Sequence, residues 1–349
     1  MTSALEQVWY GDSLGARLAR AALRPAELLY SGAVRLRGSL YDHGWLGAHD
    51  PPLPVLAIGN VSVGGTGKTP VAAWAVGRLR ERGARPAVVL RGYGGDEPLV
   101  HEALNPGVPV VVDADRVRGV RAARDAGADC VVLDDAFQHR RLARTADWVL
   151  LSAERFVRTT HLLPAGPLRE PLEALRRADV AIVTRKSASV AEADAVAERV
   201  ESATRIGVAV VHLAPSALVD ARDGTSRALE TIRNARIVAA AAVAEPQAFF
   251  TQLREAGARA VRAFPFRDHH AFTTADVAQL VHAASDADAV VCTLKDAVKL
   301  APQWPAHGVP LWYVSQRAEV ERGAHLLDAS LALVLAARAS TSSTAGAAG

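Results

Sequence analysis

Residues 60–70 read NVSVGGTGKTP. The phosphate-binding P-loop pattern is Gly, four residues, Gly-Lys, then Ser or Thr. Gly67, Lys68 and Thr69 fill its second half, while Ser62 holds the position of the first Gly. The pattern acquires meaning between a strand and a helix, and both are predicted here. PVLAIGN precedes it as a short buried strand, and residues 68–82 read as a helix that stops at Gly83. Gly64, Gly65 and Gly67 allow backbone N–H groups to converge on phosphate oxygens. The helix N-terminus behind them adds a favourable dipole. Lys68 is expected to reach the β- and γ-phosphates, and Thr69 to place its hydroxyl on Mg²⁺. Pro70 suits the first helical turn, where its missing N–H costs little. The expected cradle is therefore Ser62, Val63, Gly64, Gly65, Thr66, Gly67, Lys68 and Thr69, and ATP with Mg²⁺ is the expected cofactor set.

Outward from this loop the pattern alternates. PAVVLRG, VPVVVDA, ADCVVLDD and DWVLLSA read as strands, with DRVRGVRAARDAG as a basic-faced helix among them. A second series follows in ADVAIVTR, GVAVVHLAP, ARIVAAAAV, ARAVRAFPF, ADAVVCTLKD and VPLWYVS. Apolar strands alternating with helices indicate a parallel sheet covered on both faces. The fold class is thus α/β: a P-loop NTPase-like parallel-sheet domain, a second and smaller α/β domain, and N-terminal amphipathic helices. The expected boundaries are helices over 1–50, the P-loop domain over 51–152, and an inter-lobe linker rich in Pro and Gly over 153–178. The second domain then spans 179–335, and a low-complexity disordered tail spans 336–349. Within the N-terminal part, Pro25 is expected to interrupt two helical segments. Leu29, Ala33, Leu36 and Leu40 recur at helical spacing among arginines, a pattern of a packed amphipathic helix or of one lying at a membrane surface.

The chain has 349 residues, half of them apolar and 22% charged, with a net charge of +3. That balance suits a globular protein and gives no reason to expect a nucleic-acid partner. Cys130 and Cys292 each sit in an apolar strand, so no disulfide is expected. No run approaches the ~18 apolar residues of a membrane span.

Strand ends supply the chemistry. A P-loop ATPase needs an acid near the metal, and CVVLDD places Asp134 and Asp135 at a strand terminus. LRGYGGDEP places Asp96 and Glu97 after the next strand, on the carboxyl edge where α/β sheets bind ligands.

NVSVGGTGKTP, RGYGG, GDEP, DDAFQHRRL, LLPAGPLREP, DHHAFT and TLKDAVKL occur in this order. Together they resemble the tetraacyldisaccharide 4'-kinase family, the lipid A 4'-kinases. The resemblance covers most of the chain. It implies transfer of the γ-phosphate of ATP to the 4'-hydroxyl of an acylated disaccharide 1-phosphate, by a peripheral protein on the cytoplasmic face of the inner membrane. It also implies that Asp96 takes the hydroxyl proton, assisted by His269 or alternatively His270, and that Lys68 is catalytic. Such a pair is physically reasonable, because an imidazole can orient a carboxylate and share its proton. Asp134 and Asp135 carry over as the Mg²⁺-side acids. Glu97, Arg91, Arg116, Gln138, His139, Arg169 and His270 are candidate substrate contacts. Three departures stand out. RGYGG and GDEP are fused through Gly95, Ala136 follows the paired acids, and a second-lobe Gly-rich stretch is reduced to VAEP at 243–246. The competing reading is a regulatory P-loop ATPase of the partitioning type. The extra lysine of that class would stand where this chain has Val63.

Overall fold

The computed structural model describes residues 4–92, 95–156, 161–243 and 246–346. Tyr93 and Gly94 of RGYGG, Ala244 and Glu245 of VAEP, residues 157–160 of the expected linker, and both extreme termini lie outside them. In chain order the elements are α1 (Ala4–Tyr10), α2 (Leu14–Asp42), β1 (Val55–Asn60), α3 (Lys68–Glu81), β2 (Pro86–Leu90), α4 (Glu97–Leu104), β3 (Val110–Val112), α5 (Arg116–Asp125), β4 (Cys130–Asp134) and β5 (Ala146–Ser152). There follow α6 (Ala153–Phe156), β6 (Val180–Arg185), α7 (Val190–Thr204), β7 (Gly207–Asp220), β8 (Ser226–Ala228), β9 (Arg236–Ala241), α8 (Pro246–Glu255) and β10 (Ala260–Pro265). The last are α9 (Thr274–Ala283), β11 (Ala289–Thr293), α10 (Leu294–Leu300), β12 (Leu311–Arg322) and α11 (Ala324–Gly346).

Two compact units result. The larger contains the described residues 4–92, 104–213 and 318–346. Its parallel strands run β7-β6-β5-β1-β4-β2-β3. β1 lies between β4 and β5, so the chain turns opposite ways on its two sides, and ligand crevices form at such a point. β1, β2, β4 and β5 are buried throughout, as their unbroken apolar runs require. Val71, Ala75, Val76 and Leu79 of α3 cover one face, joined by Leu327, Leu331 and Val334 of α11.

The smaller unit contains 95–103 and 214–317. Its parallel strands run β10-β9-β11-β12, and β8 pairs antiparallel with β7. Val238, Ala240, Val290 and Cys292 pack with Val277 and Leu280 of α9 on one face. Both cysteines are buried and free.

Four expectations about organisation differ from the structure. Pro25 lies inside one 29-residue helix, α2, rather than between two. A proline removes one i→i−4 bond, and side-chain contacts from Arg20 before it and from Glu27 and Tyr30 after it hold the helix on either side. The described part of 153–178 is not an inter-lobe linker but part of the larger unit, bonded to the P-loop entry. β6 and α7, expected to open the second domain, pair and pack in the larger unit instead, while 95–103 joins the smaller one. The tail expected from 336 is helical to Gly346. It continues a helix whose Ser330 accepts a hydrogen bond from the Trp148 indole at 2.8 Å and whose Arg338 pairs with Asp129 at 3.2 Å. Among the described residues no helix is long and apolar enough to cross a membrane.

Candidate active site

The P-loop is fixed from inside and from its entry. Asn60, fully buried at the end of β1, donates from Nδ2 to Thr66 Oγ1 at 2.9 Å. Thr184, at the end of β6, donates to the Thr66 carbonyl at 2.8 Å. At the entry, Ser62 bridges antiparallel to Leu168 and the Val63 N–H donates to the Pro167 carbonyl at 2.8 Å. LLPAGPLRE therefore braces the loop. Gly67 caps α3 in the left-handed region, φ +78°, and a β-carbon there would collide with Leu213. No side chain caps α3. Its first N–H groups are thus available to an anion.

The paired acids divide their partners. Asp134 is nearly buried, and Thr69 Oγ1 donates to its Oδ2 at 3.4 Å. A hydroxyl and a carboxylate oxygen at the carboxyl edge suit a hard divalent cation such as Mg²⁺, which keeps several waters and shares the rest with phosphate oxygens. Asp135 adopts φ +53° and turns to the cations instead. Lys68 Nζ lies 3.3 Å from its Oδ1, and Arg169 reaches both carboxylate oxygens at 3.1 and 3.3 Å. Gln138 accepts from Arg169 at 3.4 Å and donates to the Asn60 carbonyl at 2.9 Å, which ties this group to β1.

Arg116 and His139 lie beneath these acids. Arg116 is 2% exposed and donates to the backbone carbonyls of Asp113 at 2.7 Å and Asp134 at 3.4 Å. Burial holds its pKa below the ordinary guanidinium value. Burial, with Arg116 and Arg144 nearby, pushes the His139 imidazole down to about 4. His139 is therefore neutral at physiological pH. Arg91 is exposed at the end of β2.

The smaller unit holds a different group. Asp96 immediately precedes α4 and is 2% exposed. His269 Nδ1 lies 3.1 Å from each of its carboxylate oxygens. His269 itself takes φ +57°, and its N–H donates to the Ala242 carbonyl at 3.2 Å. His270 is engaged elsewhere: its Nε2 lies 3.0 Å from Asp276 Oδ2, in the capping box of α9, and its ring stacks on Phe266 at 5.0 Å. Glu97, half-buried, is the first residue of α4. Sequence reasoning gave Lys299 no role. Its Nζ lies 3.8 Å from Asp96 Oδ2 and 3.6 Å from Asp296, and donates to the His270 carbonyl at 3.0 Å. The signal was present in TLKDAVKL, but nothing in that run says which carboxylate the lysine meets.

A phosphate cradle and a buried carboxylate–imidazole pair in one chain define a phosphotransferase toolkit. The family model described as "Tetraacyldisaccharide-1-P 4'-kinase" matches residues 19–95 and 94–334. The chain belongs to this family. A tetraacyldisaccharide 4'-kinase of Anaeromyxobacter dehalogenans (strain 2CP-C) is 39% identical over 359 residues, covering 95% of each chain. That of Halorhodospira halophila is 39% identical over 340 residues, covering 92% of this chain and 94% of its own. LpxK from Aquifex aeolicus, solved in complex with ATP, superposes with a TM-score of 0.73 at 25% identity, over 91% of this chain and 99% of its own. Membership in the tetraacyldisaccharide 4'-kinase family does not favour the partitioning-ATPase reading.

Proposed function

We infer that this protein is an ATP-dependent lipid kinase. It transfers the γ-phosphate of ATP to the 4'-hydroxyl of a tetraacylated disaccharide 1-phosphate and yields the 1,4'-bisphosphate, lipid IVA. The observation that carries this reading is the Asp96–His269 pair, a base suited to a sugar hydroxyl, in a member of a family named for phosphorylating one.

The P-loop amides and Lys68 hold the triphosphate, and Thr69 with Asp134 would hold Mg²⁺. When bound, Mg²⁺ supplies positive charge to the phosphate oxygens. Lys68 has its ammonium oriented by Asp135, which Arg169 holds in turn. Asp96 accepts the proton of the 4'-hydroxyl, and His269 shares it. The 4'-oxygen forms a bond to the γ-phosphorus while the bond from that phosphorus to the β,γ-bridging oxygen breaks. ADP leaves with the electron pair. Asp96, His269 and Lys68 are the proposed catalytic residues, with Arg169, Gln138 and Glu97 as supporting contacts.

The acceptor's acyl chains lie in a bilayer, so the protein must work at its surface. Leu14, Leu18, Leu28, Leu29 and Leu36 are more than half exposed along α2. Their spacing places them on one stripe of the helix. Arg17, Arg24, Arg35 and Arg37 flank that stripe and are exposed. An apolar stripe beside cations suits an anionic membrane face, here the cytoplasmic face of the inner membrane. The test is incubation with γ-labelled ATP and tetraacyldisaccharide 1-phosphate in mixed micelles. Labelled bisphosphate is expected from the native protein and none from Lys68→Ala. Folded, ATP-binding protein that transfers no label sinks the reading.

A further inference from the structure

A cation outside the P-loop motif lies against the loop's apex. α6 follows β5 directly, at the carboxyl edge of the strand paired with β1. Its Arg155 comes so close to Gly64 that a β-carbon on that glycine would collide with a guanidinium nitrogen and stand 3.4 Å from Cζ. Gly64 also takes φ +115°, so the position is closed to side chains on both counts. Arg155 is fixed from the other side as well. Glu6 of α1 pairs with it at 3.3 Å, with side chains only 17% and 12% exposed, and the Tyr10 ring lies 6.0 Å from Cζ. The neighbouring Glu154 pins α6 itself, accepting backbone N–H bonds from Lys186, Ser187 and Ala188 at 2.5, 3.1 and 3.2 Å.

We propose that Arg155 is a catalytic residue that contacts the transferring phosphoryl group of ATP, and that Glu6 is its positioning residue. The proposal rests on the kinase reading above. The reasoning is electrostatic. Phosphoryl transfer spreads charge over the equatorial oxygens, and catalysis consists largely of placing positive charge there beforehand. The helix end of the loop, with Lys68, serves the β- and γ-phosphates. Gly64 precedes the Gly67 cap of α3, so a cation held against it would bring charge to the same phosphate cradle from a second side. A guanidinium presents five donors in one plane. One edge can stay on Glu6 while the other meets phosphate oxygens. A lysine ammonium lacks that planar second edge, so turning toward the phosphate draws it away from Glu6.

The experiment compares Arg155→Ala, Arg155→Lys and Glu6→Gln in two assays, label transfer to the disaccharide and the slow hydrolysis of ATP in its absence. ATP affinity and thermal melting are measured alongside. Arg155→Ala should lower kcat about 10²- to 10³-fold, the loss typical of one transition-state donor, with ATP affinity nearly unchanged. Free guanidinium at millimolar concentration should restore part of that rate and none of the rate lost in Lys68→Ala. Arg155→Lys should recover little, and Glu6→Gln should lose less than Arg155→Ala. Native kcat in folded Arg155→Ala, or in Arg155→Lys should the alanine variant not fold, overturns the proposal. Native protein that hydrolyses ATP but never labels the disaccharide overturns the substrate reading instead, and the hydrolysis assay still reads Arg155.

Discussion

Replacing Asp96 by Asn separates chemistry from folding. The carboxylate is 2% exposed, 3.1 Å from His269 through both oxygens and 3.8 Å from Lys299. Asparagine fills the same space and can still accept from the imidazole, but it cannot take a proton. A positioned general base contributes about 10²- to 10⁴-fold, or about 3–5 kcal/mol of barrier at 1.36 kcal/mol per tenfold. The structural loss should be far smaller. Lys299 keeps Asp296 at 3.6 Å and the His270 carbonyl at 3.0 Å, so its charge is not stranded. One weakened hydrogen bond is worth about 1 kcal/mol. Steady-state transfer of labelled phosphate to the disaccharide, paired with ATP affinity by calorimetry and a denaturant midpoint, reads all three quantities. Expected is a kcat loss of at least about 10²-fold with affinity unchanged and stability barely moved. A kcat near native, or a fall in kcat matched by a comparable fall in stability, refutes the assignment.

The two histidines should part company. His269→Ala should reduce kcat about 10- to 100-fold, as a partner that only shares the proton, while His270→Ala should lower the melting temperature through the lost Phe266 stack and Asp276 contact; the reverse pattern in kinetics and melts would exchange their roles. Leu18→Asp with Leu29→Asp on the exposed stripe of α2 should weaken cosedimentation with anionic liposomes and leave the melting temperature in place. Unchanged sedimentation removes that stripe from the membrane reading. His139 makes a pH prediction. Its folded pKa of about 4 lies below the ordinary 6.5, so as pH falls below 6.5 the unfolded chain takes up a proton that the folded chain refuses. The stability is present above 6.5 and is lost toward 4, and His139→Gln should flatten that part of a denaturant-midpoint series. An identical slope in both proteins counts against it.

The strands and the P-loop were legible because an unbroken apolar run followed by Gly-Lys-Thr has few other physical meanings. The two candidate histidines are adjacent, and only the fold tells them apart. The left-handed turn at His269 presents its ring to Asp96, while a capping carboxylate takes its neighbour. Asp134 and Asp135 were likewise adjacent and equivalent on paper. The positive φ at Asp135 turns it away from Thr69 and toward Lys68 and Arg169. Arg155 carried no signal, since a single arginine in a four-residue helix looks like any surface arginine. Glu27 is another such case: it is buried, accepts from the Leu162 N–H at 2.9 Å, and so secures the segment that braces the P-loop. Glutamate on an amphipathic helix reads as solvent-facing until the partner backbone is known.

The smaller unit is assembled from two separate stretches of chain, 95–103 and 214–317. No continuous stretch of chain consists of it alone. A polypeptide covering only the later stretch would lack Asp96 and α4, and one ending before residue 214 would carry Asp96 without the histidine that meets it. A chain break between β2 and α4 would leave every base-forming residue intact yet sever the direct backbone link from the one to the other. Split-protein complementation at that point would show whether the proton acceptor needs its short tether to the nucleotide fold, or only the folded partners around it.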